Sequence, residues 1–245
     1  MRNLFLVKEI IFMTDPLFDE WRAYQKLLEH DYMYHVAFFS RLKHEIQGCF
    51  HEPVAILDLG CGDVSPIRSM LEDLDVSLYC GADQSETALS KAEANLASLD
   101  FPTRLYLGDL LDTLRTLTGR FDVIVASFSL HHLQTAAAKK QVLEECLRVL
   151  KPAGLVAIID VFHAEDETRE EYLRRWVEFA KKNYQALDHA EMASLVDHVQ
   201  SNDFPETLST YQTIGRAAGY HKFEILMQDR EKLNHLVTLR DRPLA

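Results

Sequence analysis

The sequence predicts an α/β fold: a doubly wound, seven-stranded, mostly parallel sheet with its last strand antiparallel, N-terminal helices and a helical cap insertion. Three observations predict it. From residue 54 to residue 161, apolar runs alternate with amphipathic stretches, the pattern of repeated βα units with right-handed crossovers. The first three runs each lead into an aspartate, at Asp58, Asp83 and Asp109. Between the first run and its helix stand Gly60 and Gly62, one residue apart, which give a tight turn and leave the main chain open to close approach. In open α/β sheets ligands bind outside the carboxyl ends of the strands, where this turn falls.

Residues 16–48 read as two helices. Leu17, Trp21, Tyr24 and Leu28 repeat at helical spacing, as do Val36, Phe39, Leu42 and Ile46. The segment between them, His30 to His35, is dense in aromatics and imidazoles, and it suits either plain core packing or a lid. Met1 to Phe12 is mostly apolar, but Lys8 and Glu9 interrupt it and no small-residue cleavage site follows. Met13 offers an alternative start that would leave the first twelve residues as an extension.

The core spans residues 54–161. A strand at Val54–Leu57 leads to a helix over 64–74, and a second strand at Val76–Ala82 to a helix over 85–98 with Ser85 as its cap. The third run, Arg104–Gly108, precedes a short helix near 110–117. Phe121–Ala126 is apolar enough to be covered on both faces. The next helix, 134–150, is expected to stop before Pro152 and Gly154, with the fifth strand at Leu155–Val161. Residues 164–204 then insert about forty positions where a connection would suffice; helical periodicity and the Asp188–Glu191 capping box predict a cap of two helices. Residues 205–240 supply a last helix, opened by Pro205, and a closing hairpin around Asp229–Glu231. The 245 residues thus read as a single domain.

The motifs DLGCGD, GADQS, LGDL, FDVIVASFSLHHL and LRVLKPAG, in this order and spacing, resemble the class I S-adenosylmethionine-dependent methyltransferases, a Rossmann-like family. The resemblance covers roughly residues 54–160 and returns at 205–240 with AAGYHKFEIL. It implies S-adenosyl-L-methionine as cofactor and S-adenosyl-L-homocysteine as product. Gly60 and Gly62 would pass under the methionyl part, Asp58 would hold the amino end, Asp83 the ribose hydroxyls and Asp109 the adenine amino group. Cys61, Gln84, Leu110, Ser127 and Phe128 complete the expected cofactor set. The family's third glycine is Val64 here.

Each role has a plainer alternative. Asp83 and Asp109 could cap the helices that follow them, and Asp58 could simply brace the turn. His131 and His163 are the candidate catalytic bases, against a reading as packed or surface imidazoles. The His131–His132 pair lacks a third metal ligand in the local sequence, so no metal is expected. Tyr32, His35, Ser129 and Trp176 are placed in the acceptor pocket.

The charge balance, 26 basic against 38 acidic side chains and net −12, argues against a nucleic-acid partner, which would call for a basic stripe. Four cysteines without Cys-x-x-Cys spacing point to reduced thiols and a cytoplasmic location, and no apolar run is long enough to span a membrane. The leading expectation is methyl transfer to a small molecule. The alternatives are an enzyme that modifies the cofactor itself and a non-catalytic module that only binds it. A nicotinamide dehydrogenase is disfavoured because position 65, where its third glycine belongs, is Ser65. Oligomeric state is not readable.

Overall fold

The computed structural model describes residues 21–241. The expectations for Met1–Phe12, Met13 and the start of the first helix lie outside them. Seven strands form one sheet in the order β3-β2-β1-β4-β5-β7-β6. They are β1 (Val54–Leu59), β2 (Val76–Asp83), β3 (Thr103–Leu107), β4 (Phe121–Ser127), β5 (Leu150–Val161), β6 (Lys222–Gln228) and β7 (Asn234–Arg240). β1 pairs in parallel with β2 and β4, β2 with β3 and β4 with β5. β7 inserts antiparallel to both β5 and β6, so the sheet has the expected single reversed strand. The chain works outward from β1 to β3 and then crosses to β4 on the other side of β1. The carboxyl ends of β1 and β4 therefore flank the topological switch point, the place of the ligand crevice in open α/β sheets.

Alternation along the strands explains why helices cover both faces. Leu57 and Leu59 of β1, Ile124 and Ala126 of β4, and Val156 and Ile158 of β5 pack toward one core. It is closed by α5 (Leu110–Thr116), α6 (Ala136–Val149) and α9 (Leu208–Ala218) through Leu114, Val142, Leu143 and Tyr211. Their neighbours Ile56, Val123, Val125, Ala157 and Ile159 point the other way. There α2 (His35–Cys49), α3 (Ser65–Glu72) and α4 (Glu86–Leu96) supply Phe38, Phe39, Leu42, Ile67, Met70 and Ala92.

Helix starts follow the capping residues. Ser85 accepts the Ala88 N–H and Thr135 the Ala138 N–H, each satisfying a donor that a first helical turn leaves open. Asp188 and Glu191 form the expected capping box on α8 (His189–Asn202). A second box, Thr168 with Glu171, starts α7 (Arg169–Asn183) and was legible by the same spacing but not anticipated.

Two boundaries depart from expectation: the last helix starts at Leu208 on a Thr207 cap rather than at Pro205, and the start of β5 is earlier. β5 starts at Leu150, running straight through Pro152 and Gly154. The register against β4 shifts between Phe121 and Val123, and Ala153 takes a left-handed φ of 62°. Such an irregularity tolerates a proline, which cannot donate to the ladder. A Cβ at Gly154 would come within 2.9 Å of the Asp122 carbonyl oxygen, so glycine permits the close strand approach.

A third apolar cluster lies over the strand ends. Ala23 and Leu27 of α1 (Trp21–Glu29) join Tyr172, Leu173, Trp176, Ala180, Tyr184 and Leu195 of the insertion, with Val161 from β5 and Leu233 from the β6–β7 turn. Polar ties reinforce it. Lys26 Nζ bonds Glu191 at 2.6 and 2.8 Å, the Tyr32 hydroxyl accepts the Ala186 N–H at 2.9 Å, and the Tyr184 hydroxyl donates to the Tyr32 carbonyl at 3.2 Å.

Candidate functional site

The crevice is built on the turn after β1. Gly60 (φ 71°), Gly62 (φ 54°) and Val64 (φ 68°) all adopt left-handed backbone, which only glycine takes without cost. The N–H groups of Gly60 and Cys61 both donate to the Ala82 carbonyl, at 2.8 and 3.0 Å, and tie the turn to β2. The two glycines serve different ends. A Cβ on Gly60 would lie 2.6 Å from the Ser129 Cβ, so packing alone demands glycine there. Among the described residues, a Cβ on Gly62 would meet only the Tyr24 hydroxyl, at 3.5 Å.

Asp58 and Asp83 stand on either side of this turn. Asp58 is buried and its Oδ2 accepts the Tyr79 hydroxyl at 2.8 Å. Burial raises its carboxyl to about 7; the Tyr79 bond opposes the shift and the Asp83 charge adds to it. Asp83 Oδ2 accepts the Gly62 N–H at 2.9 Å and Oδ1 the Ser85 N–H at 2.8 Å, which fixes the carboxylate at the tip of β2. Burial raises its pKa too, against the backbone hydrogen bonds that hold its charge, including one from the exposed Gln84. Asp109 is exposed and caps α5, its Oδ1 accepting the N–H groups of Leu111 and Asp112. Leu110 packs against the core beneath it.

Cys61 turns its side chain down into the sheet, where its Sγ would lie 2.8 Å from a Cβ at Gly81. Burial pushes its thiol far up. Tyr24 of α1, not anticipated as a site residue, sits over the turn. Burial raises its phenol, and the charges of Asp63, Asp83 and Asp58 add to the effect. Nothing in the helical spacing of Tyr24 separates it from a core residue; only the tertiary fold brings it to three carboxylates.

Ser127 ends β4, half-buried and paired with Ile159. Phe128 takes a left-handed φ of 48° while its N–H donates to the Ile159 carbonyl at 2.7 Å. Left-handed backbone at a bulky residue stores strain and often marks a functional turn. The Phe128 ring meets the His35 ring edge-on at 5.0 Å. His35 is buried, and among the described residues its Nδ1 has no hydrogen-bond partner. Burial lowers its pKa to about 4, so the ring is neutral at physiological pH.

The other candidates are held elsewhere. Ser129 donates to the Leu59 carbonyl at 2.9 Å and packs on Gly60. Tyr32 stacks on Tyr184 with centroids 4.4 Å apart, and Trp176 meets that same tyrosine edge-on at 6.2 Å. His131 is buried, its Nδ1 2.5 Å from Asp160 Oδ1 and its Nε2 3.5 Å from Asp203 Oδ1. Burial opposes charge on this ring, but Asp160 and then Asp203 outweigh it and raise the pKa to about 9. With carboxylates at both nitrogens it is poorly disposed to take a proton from an acceptor. His163 is half-buried beside the exposed Glu165, and its Nδ1 reaches the Ala164 carbonyl at 2.9 Å.

Comparison with known proteins agrees with this layout. Residues 56–154, under half of the chain, match the family described as "Methyltransferase domain". An uncharacterised methyltransferase of Synechocystis sp. is 30% identical over 43% of this chain and 46% of its own length. The release factor glutamine methyltransferase of Caulobacter vibrioides is 30% identical over 44% of this chain and 45% of its own length. The chain thus spans less than half the length of these curated relatives. Among solved structures, the plantazolicin methyltransferase BpumL in complex with S-adenosylhomocysteine aligns with a TM-score of 0.66 at 15% identity, over 94% of this chain and 92% of that one. A chain from the complex of the Haloferax volcanii Trm112 methyltransferase activator with a methyltransferase aligns with a TM-score of 0.64 at 16% identity, over 95% and 99%. The fold is that of the class I S-adenosylmethionine-dependent methyltransferases.

Proposed function

We propose that this protein transfers a methyl group from S-adenosylmethionine to a small molecule held between the strand ends and the helical cap. One observation carries the cofactor assignment. A turn with an uncrowded glycine, Gly62, is hydrogen-bonded to a carboxylate at the tip of the next strand, Asp83, with a second buried carboxylate, Asp58, close by. The residues fit this cofactor. Asp83 keeps acceptor capacity beyond its main-chain bonds from Gly62, Ser85 and Gln84 and can take a ribose hydroxyl pair. Asp58 and Asp83 together favour a ligand bearing positive charge. Asp109 can approach an adenine only with the oxygen that does not cap α5. When bound, S-adenosylmethionine supplies an electrophilic methyl on a sulfonium and leaves as S-adenosylhomocysteine.

The chain's own part is then orientation and exclusion of water. Tyr24 closes over the turn, Phe128 walls the end of β4, and the apolar cluster of α1, α7 and α8 covers the crevice. The neutral His35 ring, with its unpaired Nδ1 beside Phe128, is the polar group best placed to orient an acceptor. An enclosing apolar cap with few polar groups favours a small acceptor over a macromolecule, and the net charge of −12 favours it over nucleic acid. No helix of the described residues is long and apolar enough to cross a membrane.

The test incubates the protein with methyl-labelled S-adenosylmethionine and separated low- and high-molecular-weight fractions of a cell extract. Label entering compounds of the small fraction, and falling in a His35→Ala variant that still binds S-adenosylhomocysteine, is the expected result. Label appearing only on protein or RNA would overturn the acceptor class, and binding without turnover in any fraction would support a non-catalytic module.

A further inference from the structure

Outside the crevice, the turn after β4 and the end of α8 bring two imidazoles and a carboxylate together. His131, His132 and Asp203 each offer a ligand atom, all within 4.8 Å of one another. Asp203 Oδ1 lies 3.5 Å from His131 Nε2 and 3.8 Å from His132 Nδ1. This oxygen is buried and, among the described residues, accepts no hydrogen bond. The local sequence around the histidine pair held no third ligand; the fold supplies one from the cap.

The surroundings are built as well. Asp160, fully buried in β5, contacts His131 Nδ1 at 2.5 Å through Oδ1, which also accepts the Val161 N–H, while Oδ2 accepts the His131 main-chain N–H at 3.1 Å. Nδ1 is thereby fixed as a donor, and Nε2 faces Asp203 and would give up its proton on binding a metal. A carboxylate that orients a histidine through one ring nitrogen while the other faces a carboxylate and a second imidazole is the second-shell arrangement of metal-binding histidines.

We propose that His131 Nε2, one ring nitrogen of His132 and Asp203 Oδ1 bind a divalent transition metal of the zinc class. Two imidazoles, neutral once ligated, and one carboxylate match such a borderline ion and suit magnesium or calcium poorly. Donors around a tetrahedral zinc stand about 3.3 Å apart, so the two Asp203 separations need to close by a few tenths of an ångström, and the two imidazole nitrogens, within 4.8 Å of each other, close the rest by side-chain rotation. His132 Nδ1 also lies 3.2 Å from the Asn202 carbonyl oxygen, a contact that ligation through that nitrogen would give up. His198 is buried against His132, ring centroids 5.5 Å apart, and borders the fourth position. The ion would clip the end of the insertion to the sheet, where the Phe204 N–H already donates to the His131 carbonyl at 2.7 Å and Lys139 Nζ donates to the carbonyls of Leu133 and Phe204. Its role is to anchor the cap.

The test uses the tag-free full chain, stripped with a chelator, loaded with zinc sulfate and desalted. Elemental analysis is expected to find about one zinc per chain, melting is expected to shift upward with zinc, and cobalt substituted for zinc is expected to give the visible bands of a low-coordinate nitrogen–oxygen site. Asp203→Asn and His132→Gln should each lose the retained zinc and the shift, and Asp160→Asn should weaken binding about 10- to 100-fold. Zinc absent from the loaded wild-type chain would overturn the proposal, as would equal retention by both ligand variants. Should Asp203→Asn fail to fold, His132→Gln and the wild-type cobalt spectrum decide between the same two outcomes.

Discussion

Asp58 pairs burial with a charge that a cationic ligand would need. With its carboxyl raised to about 7, the free protein holds a proton there at mildly acid pH. Binding an ammonium group to the ionised form must then release that proton. Affinity for S-adenosylhomocysteine is expected to fall by up to about tenfold per pH unit below 7 and to level off just above it, and Asp58→Asn should flatten the profile. Calorimetry across that range checks it. The same shift sets a stability trend. Between about pH 4 and 7 the native state binds a proton that the unfolded chain has lost, so this group makes stability decline as pH rises across that window. The two glycines separate stability from binding. Gly60→Ala, at φ 71° and with its Cβ 2.6 Å from Ser129, should cost about 1–3 kcal/mol from backbone strain alone, more with the clash, and lower the melting temperature. Gly62→Ala, at φ 54°, carries backbone strain of the same order but no such clash, and should weaken cofactor binding more than it weakens the fold.

At the scale of elements, the cap is held chiefly by its own cluster. Trp176 and Tyr172 pack with Ala23, Leu27 and Tyr184, and Val161 joins them from β5 and Leu233 from the β6–β7 turn. Trp176→Ala should cost about 3–5 kcal/mol within that cluster. Because the strands lie in separate cores, amide exchange should quicken across 169–202 while β1, β4 and β5 stay protected. Uniform acceleration through the sheet would instead make cap and core one cooperative unit. The elements were largely legible. Apolar runs and their capping residues marked the strands and helix starts within a few positions, since both signals are local. The start of β5 was not, because Pro152 and Gly154 usually end structure, and only pairing with Phe121 makes Leu150 a strand residue.

For the whole molecule, the frame of the site was readable and its interior was not. Asp58, Asp83 and the glycine turn are fixed by strand ends, which sequence reveals. Tyr24 over the turn, the unpaired Nδ1 of His35, and the enclosure of His131 between Asp160 and Asp203 depend on segments far apart in the chain. No spacing rule brings them together. The candidate base His131 illustrates the gap, since its position after β4 suggested the crevice and its partners make it part of the cap's attachment. The central claim is that the crevice over β1 and β2 binds S-adenosylmethionine through Asp83. Titration calorimetry of S-adenosylhomocysteine into the wild-type chain and into Asp83→Asn tests it most directly. The account predicts saturable binding to the wild type and a loss of about 1.5–3 kcal/mol in a variant that still folds. Unchanged affinity in folded Asp83→Asn, or no binding to the wild type, would contradict it.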